Sequence, residues 1–198
     1  MSDTPLNLTD SALDLLLTRR SQVAAKMVAP GPDDKQLEKI ISAGLRVPDH
    51  CRAEPWRIQN ISSEGRRRLV DLQTELFMAE NDESQKPKLN ILNQITLQTP
   101  VILVVTSHLN PEKFDKAPLV EQLLSGGALC QNILVAAHAM GYVAQWLTGW
   151  RAYHDQIKSI LGHNSETDIL GFIHIGSTEA PLSERPRPEY KNIVSQWS

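Results

Sequence analysis

The sequence has little cysteine, no excess of basic residues and no apolar segment long enough to cross a membrane. Cys51 and Cys130 are the only cysteines among 198 residues, too few for a disulfide scaffold or a cysteine-based metal site. The formal net charge of −3 provides no broad basic face, so we expect no nucleic-acid partner. Apolar runs such as VILVV at residues 101–105 fall far short of a membrane span, and we expect no membrane association.

The motifs of several large enzyme classes are also missing. The sequence contains neither the G-x-G-x-x-G dinucleotide fingerprint nor the G-x-x-x-x-G-K-[ST] phosphate loop. It contains no H-E-x-x-H zinc motif and no G-x-S-x-G nucleophile elbow. These absences leave a binding protein, or an enzyme whose chemistry belongs to a cofactor. The first ten residues lack the basic and apolar regions of a secretory signal, so we expect a cytoplasmic protein with reduced thiols.

Hydrophobic periodicity predicts mixed helices and strands in a single domain that spans residues 1–198. Helices are predicted at 9–19, 34–46, 65–79, 88–97, 119–140 and 154–161, and strands at 56–62, 101–107, 142–149 and 168–177. Thr9 or Asp10 is expected to cap the first helix, and Asp33 with Gln36 predicts a capping box at the second. The polar stretch 79–87 predicts a mobile loop or lid.

Two basic stretches lie near opposite ends of the chain. Arg19, Arg20 and Ser21 follow the apolar ridge of the first helix, where cations could simply suit the helix C-terminus or could form an anion site. Arg185 and Arg187 have i, i+2 spacing, which places them on one side of an extended segment. The alternative for the second pair is a solvated tail.

Two further stretches combine polar and aromatic residues. Residues 45–58, LRVPDHCRAEPWRI, join a helix to a strand and carry Arg46 and His50 around two prolines. Polar groups on a stiff connection suit ligand binding, although a solvated surface loop has the same composition. Residues 144–150, AQWLTGW, could wall a flat aromatic ligand, with Thr148 bonding to its edge. The alternative is a core strand with tryptophans as packing.

In this order, the four stretches resemble the FMN-dependent nitroreductase family, and most closely its compact bacterial branch of small NAD(P)H nitroreductases. The segments that carry the resemblance are Arg-Arg-Ser, VPDHCRAEPW, GYVAQWLTG at 141–149 and the basic pair near the C-terminus. The resemblance implies an α+β fold, a three-layer α-β-α sandwich around a mainly antiparallel sheet. It also implies an intertwined homodimer with two FMN sites at the interface.

The resemblance assigns cofactor contacts residue by residue. The implied FMN-binding residues are Arg19, Arg20, Ser21, Arg46, His50, Trp146, Leu147, Thr148, Arg185 and Arg187. The four arginines near the termini and Ser21 would hold the phosphate and ribityl chain. Arg46 and His50 would reach the flavin bound mainly by the other subunit, and residues 146–148 would lie beside the isoalloxazine. The segment matched to the nicotinamide nucleotide consists of Ala136, Ala137, His138, Ala139, Met140 and Gly141.

The implied activity is a ping-pong reaction in which NAD(P)H reduces FMN, and FMN then reduces a nitroaromatic or quinone-like acceptor. The flavin carries the chemistry, so no catalytic side chain and no metal ligand is predicted. Two residues depart from the family pattern: Leu147 replaces a common basic residue, and Glu54 replaces a neutral amide. The alternative function is a non-catalytic flavin- or nucleotide-binding sensor or storage protein.

A stripe of mostly small residues follows one side of the long helix predicted at 119–140. Its members are Leu123, Gly127, Cys130, Leu134, Ala137 and Gly141. Small side chains let two backbones approach closely, as a helix packed on its dimer mate would require. A close helix–sheet contact within one chain would use the same residues.

Overall fold

An antiparallel sheet of four strands forms the centre of the protein. The computed structural model describes residues 5–198. The strands are β1 (Trp56–Asn60), β2 (Val101–Ser107), β3 (Val143–Leu147) and β4 (Ile169–Gly176). Their spatial order is β1-β2-β4-β3, and every neighbouring pair is antiparallel. All seven residues of β2 are buried, as expected for a central strand, and β2 has the bounds of the strand predicted at 101–107.

Helices cover both faces of the sheet. They are α1 (Ala12–Thr18), α2 (Asp34–Gly44), α3 (Ser63–Glu80), α4 (Lys86–Gln98), α5 (Leu119–Ala139), α6 (Trp150–Tyr153), α7 (Asp155–Ile160) and α8 (Tyr190–Ile193). Leu103 and Val105 of β2 pack with α2 and α5, whereas Ile102 and Val104 pack with α3, α6 and α7. This alternation is the period of a strand buried on both faces, and it confirms the three-layer sandwich.

The sequence signals for helix starts were right for α2 and wrong for α1. The Asp33 carboxylate accepts a bond from the Gln36 N–H at 2.8 Å, and the Gln36 side chain accepts from the Asp33 N–H at 2.9 Å. This is the predicted capping box. Helix α1 begins later than predicted, because Ser11 and not Thr9 or Asp10 is its N-cap. The hydroxyl of Ser11 accepts from the Asp14 N–H at 3.1 Å, three residues ahead, which is the reach of a capping side chain.

The prediction of a loop or lid at residues 79–87 is wrong. Helix α3 continues through Glu80 and α4 starts at Lys86, with a 3-10 turn at Glu83–Gln85 between them. The Asp82 carboxylate accepts a bond from the Ser84 N–H at 3.0 Å and starts that turn. Pro87 lies in the first turn of α4, where its missing N–H costs no helical bond. The segment is therefore a helical corner and not a lid.

The long helix α5 packs its small residues against its own sheet. Cys130, Leu134 and Ala137 are buried in the core between α5 and the sheet. They therefore form the helix–sheet contact within one chain, and the prediction that they contact a dimer mate is wrong. Among residues 5–198, α5 alone is long and apolar enough in composition to cross a bilayer. Its buried side is that of a core helix, while Leu119 and Leu124 on its other side are exposed.

Candidate functional site

The structure brings the two basic stretches together at the end of α1. Arg187 donates a hydrogen bond from Nη2 to the carbonyl oxygen of Arg19 at 3.4 Å. Arg20 donates from Nε to the carbonyl oxygen of Ser183 at 2.7 Å. Arg19 itself donates from Nη1 to the hydroxyl of Ser21 at 3.1 Å. Segments more than 160 residues apart in the chain thus form one surface, which we call the arginine cluster (Arg19, Arg20, Arg185 and Arg187).

The arginine cluster has an excess of positive charge. Burial lowers the pKa of Arg19, and the positive charges of Arg187, Arg20 and Arg185 lower it further. Glu184 is the carboxylate that acts in the opposite direction, and it accepts a bond from Arg187 Nη2 at 2.8 Å. Four guanidinium groups with one carboxylate suit an anion that accepts several charge-assisted hydrogen bonds, such as a phosphate.

An aromatic surface lies on the α5 face of the edge strand β3. Trp146 donates from Nε1 to the carbonyl oxygen of Leu170 at 2.8 Å and is 37% exposed. It lies directly over Gly171, where a Cβ atom would come within 2.2 Å of the indole nitrogen. A Cβ on Gly127 of α5 would lie 3.9 Å from the same indole. Gly171 therefore provides the space that lets Trp146 cover the sheet and present an apolar ring surface.

Leu147 and Thr148, which were predicted to contact the isoalloxazine together with Trp146, differ from Trp146 in position. Leu147 packs on the opposite face of the sheet, beside the buried residues Met27 and Ile95, because successive strand residues point to opposite faces. Its side chain therefore cannot lie on the same surface as the indole. Thr148 follows the end of β3 and is half-buried.

The connection between α2 and β1 is held in an unusual backbone conformation. Cys51, Arg52 and Glu54 have positive φ values of 58°, 53° and 47°. The backbone of a residue other than glycine rarely adopts such values. The Asp49 carboxylate accepts bonds from the backbone N–H of Ala53 at 2.9 Å and of Glu54 at 3.0 Å. Strain of this kind is often found at functional sites. The segment VPDHCRAEPW thus forms a rigid loop, as expected for a ligand-binding connection.

The side chains predicted on this loop lie apart from the arginine cluster. His50 is exposed, and its Nδ1 lies 2.6 Å from a carboxylate oxygen of Glu121 on α5. Arg46 is exposed at the end of α2. Glu54 makes no ion pair within residues 5–198, since Arg57 donates to its backbone carbonyl and not to its carboxylate. Within one chain, these groups and the arginine cluster form two separate surfaces.

The segment predicted to contact the nicotinamide nucleotide is at the C-terminal end of α5. Ala137 and His138 are buried, Ala136 and Met140 are half-buried, and Ala139 and Gly141 are exposed. His138 is near Arg19, whose charge lowers the pKa of the histidine. The nucleotide contact stays a prediction, and the structure connects the buried histidine with the arginine cluster instead.

A buried hydrogen-bond network that was not predicted from the sequence is centred on Arg151, shortly after Thr148 in the chain. Arg151 of α6 is 2% exposed. It donates to the hydroxyl of Thr96 at 3.0 Å and to Nε2 of His174 at 2.9 Å, and its guanidinium carbon is 3.9 Å from the ring centroid of Phe172. Burial lowers its pKa to about 9. No local signal could reveal it, because an arginine in a short amphipathic segment has the pattern of a surface residue.

Residues 19–177 match the sequence pattern of the Nitroreductase family. The Escherichia coli (strain K12) protein named "Putative NAD(P)H nitroreductase YdjA" is 30% identical over 173 residues, which cover 87% of this chain and 91% of that protein.

Solved structures share the fold. A nitroreductase-like family protein from Bacillus cereus has a TM-score of 0.79 at 21% identity and covers 100% of this chain and 98% of its own. A variant of NfnB from Sphigopyxis sp. strain HMH, described as an FMN- and NADPH-dependent nitroreductase, has a TM-score of 0.74 at 16% identity. That match covers 95% of this chain and 99% of NfnB.

Proposed function

This chain belongs to the nitroreductase family, and from that premise we propose that it is an FMN-dependent oxidoreductase that uses NAD(P)H to reduce nitroaromatic or quinone-like acceptors. Family membership makes the chain an oxidoreductase with FMN as cofactor and NAD(P)H as reductant. The acceptor class and the order of the two half-reactions belong to the proposal. The observation that carries it is the arginine cluster, which is assembled near His138 at the C-terminal end of α5. The partly exposed indole of Trp146, on β3, lies against the middle of the same helix, at Gly127.

The residues fit the parts of FMN. The arginine cluster suits the phosphate, because its four guanidinium groups outnumber Glu184, the one carboxylate that acts on Arg19 among residues 5–198. The indole of Trp146 supplies an apolar surface beside which an aromatic ring can lie. Gly127, against Trp146, and His138, against Arg19, are separated by roughly 16 Å along α5 at 1.5 Å per residue. A tricyclic ring joined to a phosphate by a five-carbon chain can extend over this length.

The protein's part in the reaction is binding and orientation. When bound, FMN supplies the two-electron chemistry by accepting hydride from NAD(P)H and passing reducing equivalents to the acceptor. The arginine cluster neutralises the phosphate and fixes one end of the cofactor. Trp146, held by its bond to the Leu170 carbonyl, limits the positions available to the ring. No acid or base side chain is required, since the reactive atoms belong to the cofactor and substrates.

The same proposal includes a homodimer with FMN at the interface, in the cytoplasm. Exposed apolar side chains occur on α1 (Leu13, Leu16, Leu17), on α5 (Leu119, Val120, Leu124) and on the C-terminal segment (Tyr190, Ile193, Val194, Trp197). A second copy of the chain would remove these surfaces from water. It would also bring Arg46 and His50, which lie apart from the arginine cluster of their own chain, to the flavin of its partner.

The visible spectrum of the purified protein tests the function. We expect FMN to bind in stoichiometric amount, NADPH to bleach its absorbance under anaerobic conditions, and a nitroaromatic or quinone acceptor to restore it. FMN binding without bleaching by NADPH or NADH would favour the sensor or storage alternative. A protein that does not bind added FMN would contradict the proposal. For substitutions in the arginine cluster, Arg67→Ala is a matched control that should bind FMN as the wild type does, because Arg67 is an exposed arginine on α3, outside the cluster.

A further inference from the structure

His138 has one ring nitrogen with a defined partner and one without. The residue is in the last turn of α5 and is 1% exposed. Its Nδ1 lies 2.6 Å from the carbonyl oxygen of Leu134. A carbonyl can only accept, so Nδ1 carries a proton in either charge state, and only Nε2 can change its protonation. Nε2 is buried and has no hydrogen-bond partner among residues 5–198.

The surroundings of Nε2 belong to the arginine cluster. Arg19 is the charged side chain that acts on His138, and the backbone carbonyl of Arg20 favours the protonated ring. Arg20, Arg185, Arg187 and Glu184 act in turn on Arg19. Burial and the Arg19 charge together lower the pKa of His138 to about 4. Without an anion, the ring is therefore neutral at neutral pH, and its surroundings include the Arg19 cation and the backbone carbonyl of Arg20.

We infer that His138 is part of the anion site and that the site binds a phosphate dianion together with one proton, which Nε2 takes from solvent. The four guanidinium groups and Glu184 carry a net charge of +3, because one carboxylate offsets one of four positive charges. A dianion lowers this net charge to +1 and places negative charge near Arg19, the cation that acts on the ring. The protonated Nε2–H then has an acceptor in the Arg20 carbonyl or in the phosphate itself. The negative charge of the phosphate opposes the effect of Arg19 and favours the charged ring, against the burial that is the largest cause of the low pKa of His138.

This inference rests on the proposed function, because FMN is the phosphate monoester that it assigns to the site. It adds a residue and a proton to the binding reaction. A histidine with a purely structural role would keep the same protonation state with and without FMN. Proton uptake on binding therefore separates the two roles, and it can be measured without any turnover.

Isothermal titration calorimetry tests the inference. FMN is titrated into apo-protein at pH 7 in two phosphate-free buffers of different ionisation enthalpy, which gives the number of protons taken up per FMN. We expect the wild-type value to approach one proton, and His138→Asn to take up markedly fewer. The asparagine amide keeps a donor for the Leu134 carbonyl but has no group equivalent to Nε2. His108→Asn is the control, since His108 is exposed and outside the cluster.

Riboflavin, which lacks the phosphate, should bind more weakly and with little proton uptake by the wild-type protein. Equal uptake by wild type and His138→Asn, both binding FMN, would overturn the role of His138 but leave the proposed function intact. Failure of the wild-type protein to bind FMN would overturn both. If His138→Asn does not fold, nitrogen-15 NMR of wild-type His138 decides the question. Protonation of Nε2 on adding FMN supports the inference, and an unchanged Nε2 signal contradicts it.

Discussion

The two buried arginines, Arg66 and Arg151, are held by neutral partners and not by carboxylates. Arg151 donates to Thr96 and His174, and Arg66 donates to three backbone carbonyls, among them that of Pro100 at 2.6 Å. Removing a guanidinium from water is costly. Hydrogen bonds and the contact of Arg151 with the face of Phe172 offset part of this cost. Because Arg151 is two residues after Gly149, the network anchors the end of the segment that carries Trp146.

Arg19 should contribute more to FMN binding than Arg20. Two N–H groups of Arg20 donate to the carbonyl oxygens of Ser183 and Ser21. Among residues 5–198, the side chain of Arg19 bonds only to the Ser21 hydroxyl. We expect Arg19→Ala to weaken FMN binding by one to two decades, about 1.5–3 kcal/mol for a charge-assisted bond. Fluorescence titration with FMN measures it. Equal Kd values for wild type and Arg19→Ala, or a larger effect of Arg20→Ala, would reject this assignment.

The stability of the apo-protein should fall in acid because of His138. Its pKa is about 4 in the folded state and 6.5 in the reference state, so between these values the unfolded chain binds more protons than the folded one. The free energy of unfolding therefore decreases as the pH falls from 6.5 to 4, by up to ~3 kcal/mol from this residue.

Urea denaturation of the apo-protein at pH 7 and pH 4.5 checks this expectation. The pH dependence should be weaker in His138→Asn and unchanged in His108→Asn. It should not vanish, because burial also lowers the pKa of His174. A His138→Asn protein with the full wild-type pH dependence would show that this histidine titrates normally in the folded state.

At the scale of the elements, strand β4 determines where Trp146 lies. Gly171→Ala would place a Cβ 2.2 Å from Nε1 and 2.4 Å from Cδ1 of the indole, closer than side chains tolerate, so the ring must move and lose its bond to Leu170. We expect the tryptophan emission to shift and FMN affinity to fall by about tenfold, equivalent to ~1.4 kcal/mol.

Gly127→Ala is the matched control on the facing helix. Its new Cβ would be 3.9 Å from the indole, an ordinary contact, and alanine is favoured over glycine within a helix by about 1 kcal/mol. In the isolated chain, Gly127→Ala should leave the Trp146 emission unchanged. If Gly171→Ala binds FMN with wild-type affinity, the position of the indole is not important for the cofactor.

At the scale of the whole molecule, the exposed apolar residues predict assembly. We expect the wild-type protein to scatter light as a dimer, at twice the 22.1 kDa chain mass. Leu124 of α5 is 67% exposed, so Leu124→Glu should leave the chain folded but shift it toward monomer, since a carboxylate would be buried without a partner. Size-exclusion chromatography with light scattering measures the mass, and absorbance at the flavin band measures FMN retention.

Ile91→Glu is the control for this experiment. Ile91 is 54% exposed on α4, away from the residues proposed to form the interface. The Ile91→Glu protein should remain dimeric and retain FMN. A Leu124→Glu protein that stays dimeric would contradict the proposed interface. A wild-type monomer with FMN fully bound would contradict the shared cofactor site.

Local patterns in the sequence and the order of its short motifs were sufficient for most of the elements and for the architecture. The strand β2, the capping box of α2 and the three-layer sandwich agree with the structure. Each depends on periodicity, on side chains a few residues apart, or on the order of short motifs. The errors at residues 79–87 and in the stripe on α5 arose where two local patterns were equally compatible with the sequence.

Only the tertiary structure decided which residues meet and which are buried. Arg19 and Arg187 contact each other although they are 168 residues apart in the sequence. The position of the Trp146 indole depends on Gly171, which belongs to another strand. The burial of Arg151 and of His138, which changes their acid–base properties, results from packing between elements distant in the chain. The sequence specifies the charge and size of each side chain. Its exposure to water, and hence the free energy of its charged form, depends on the neighbours that the fold places around it.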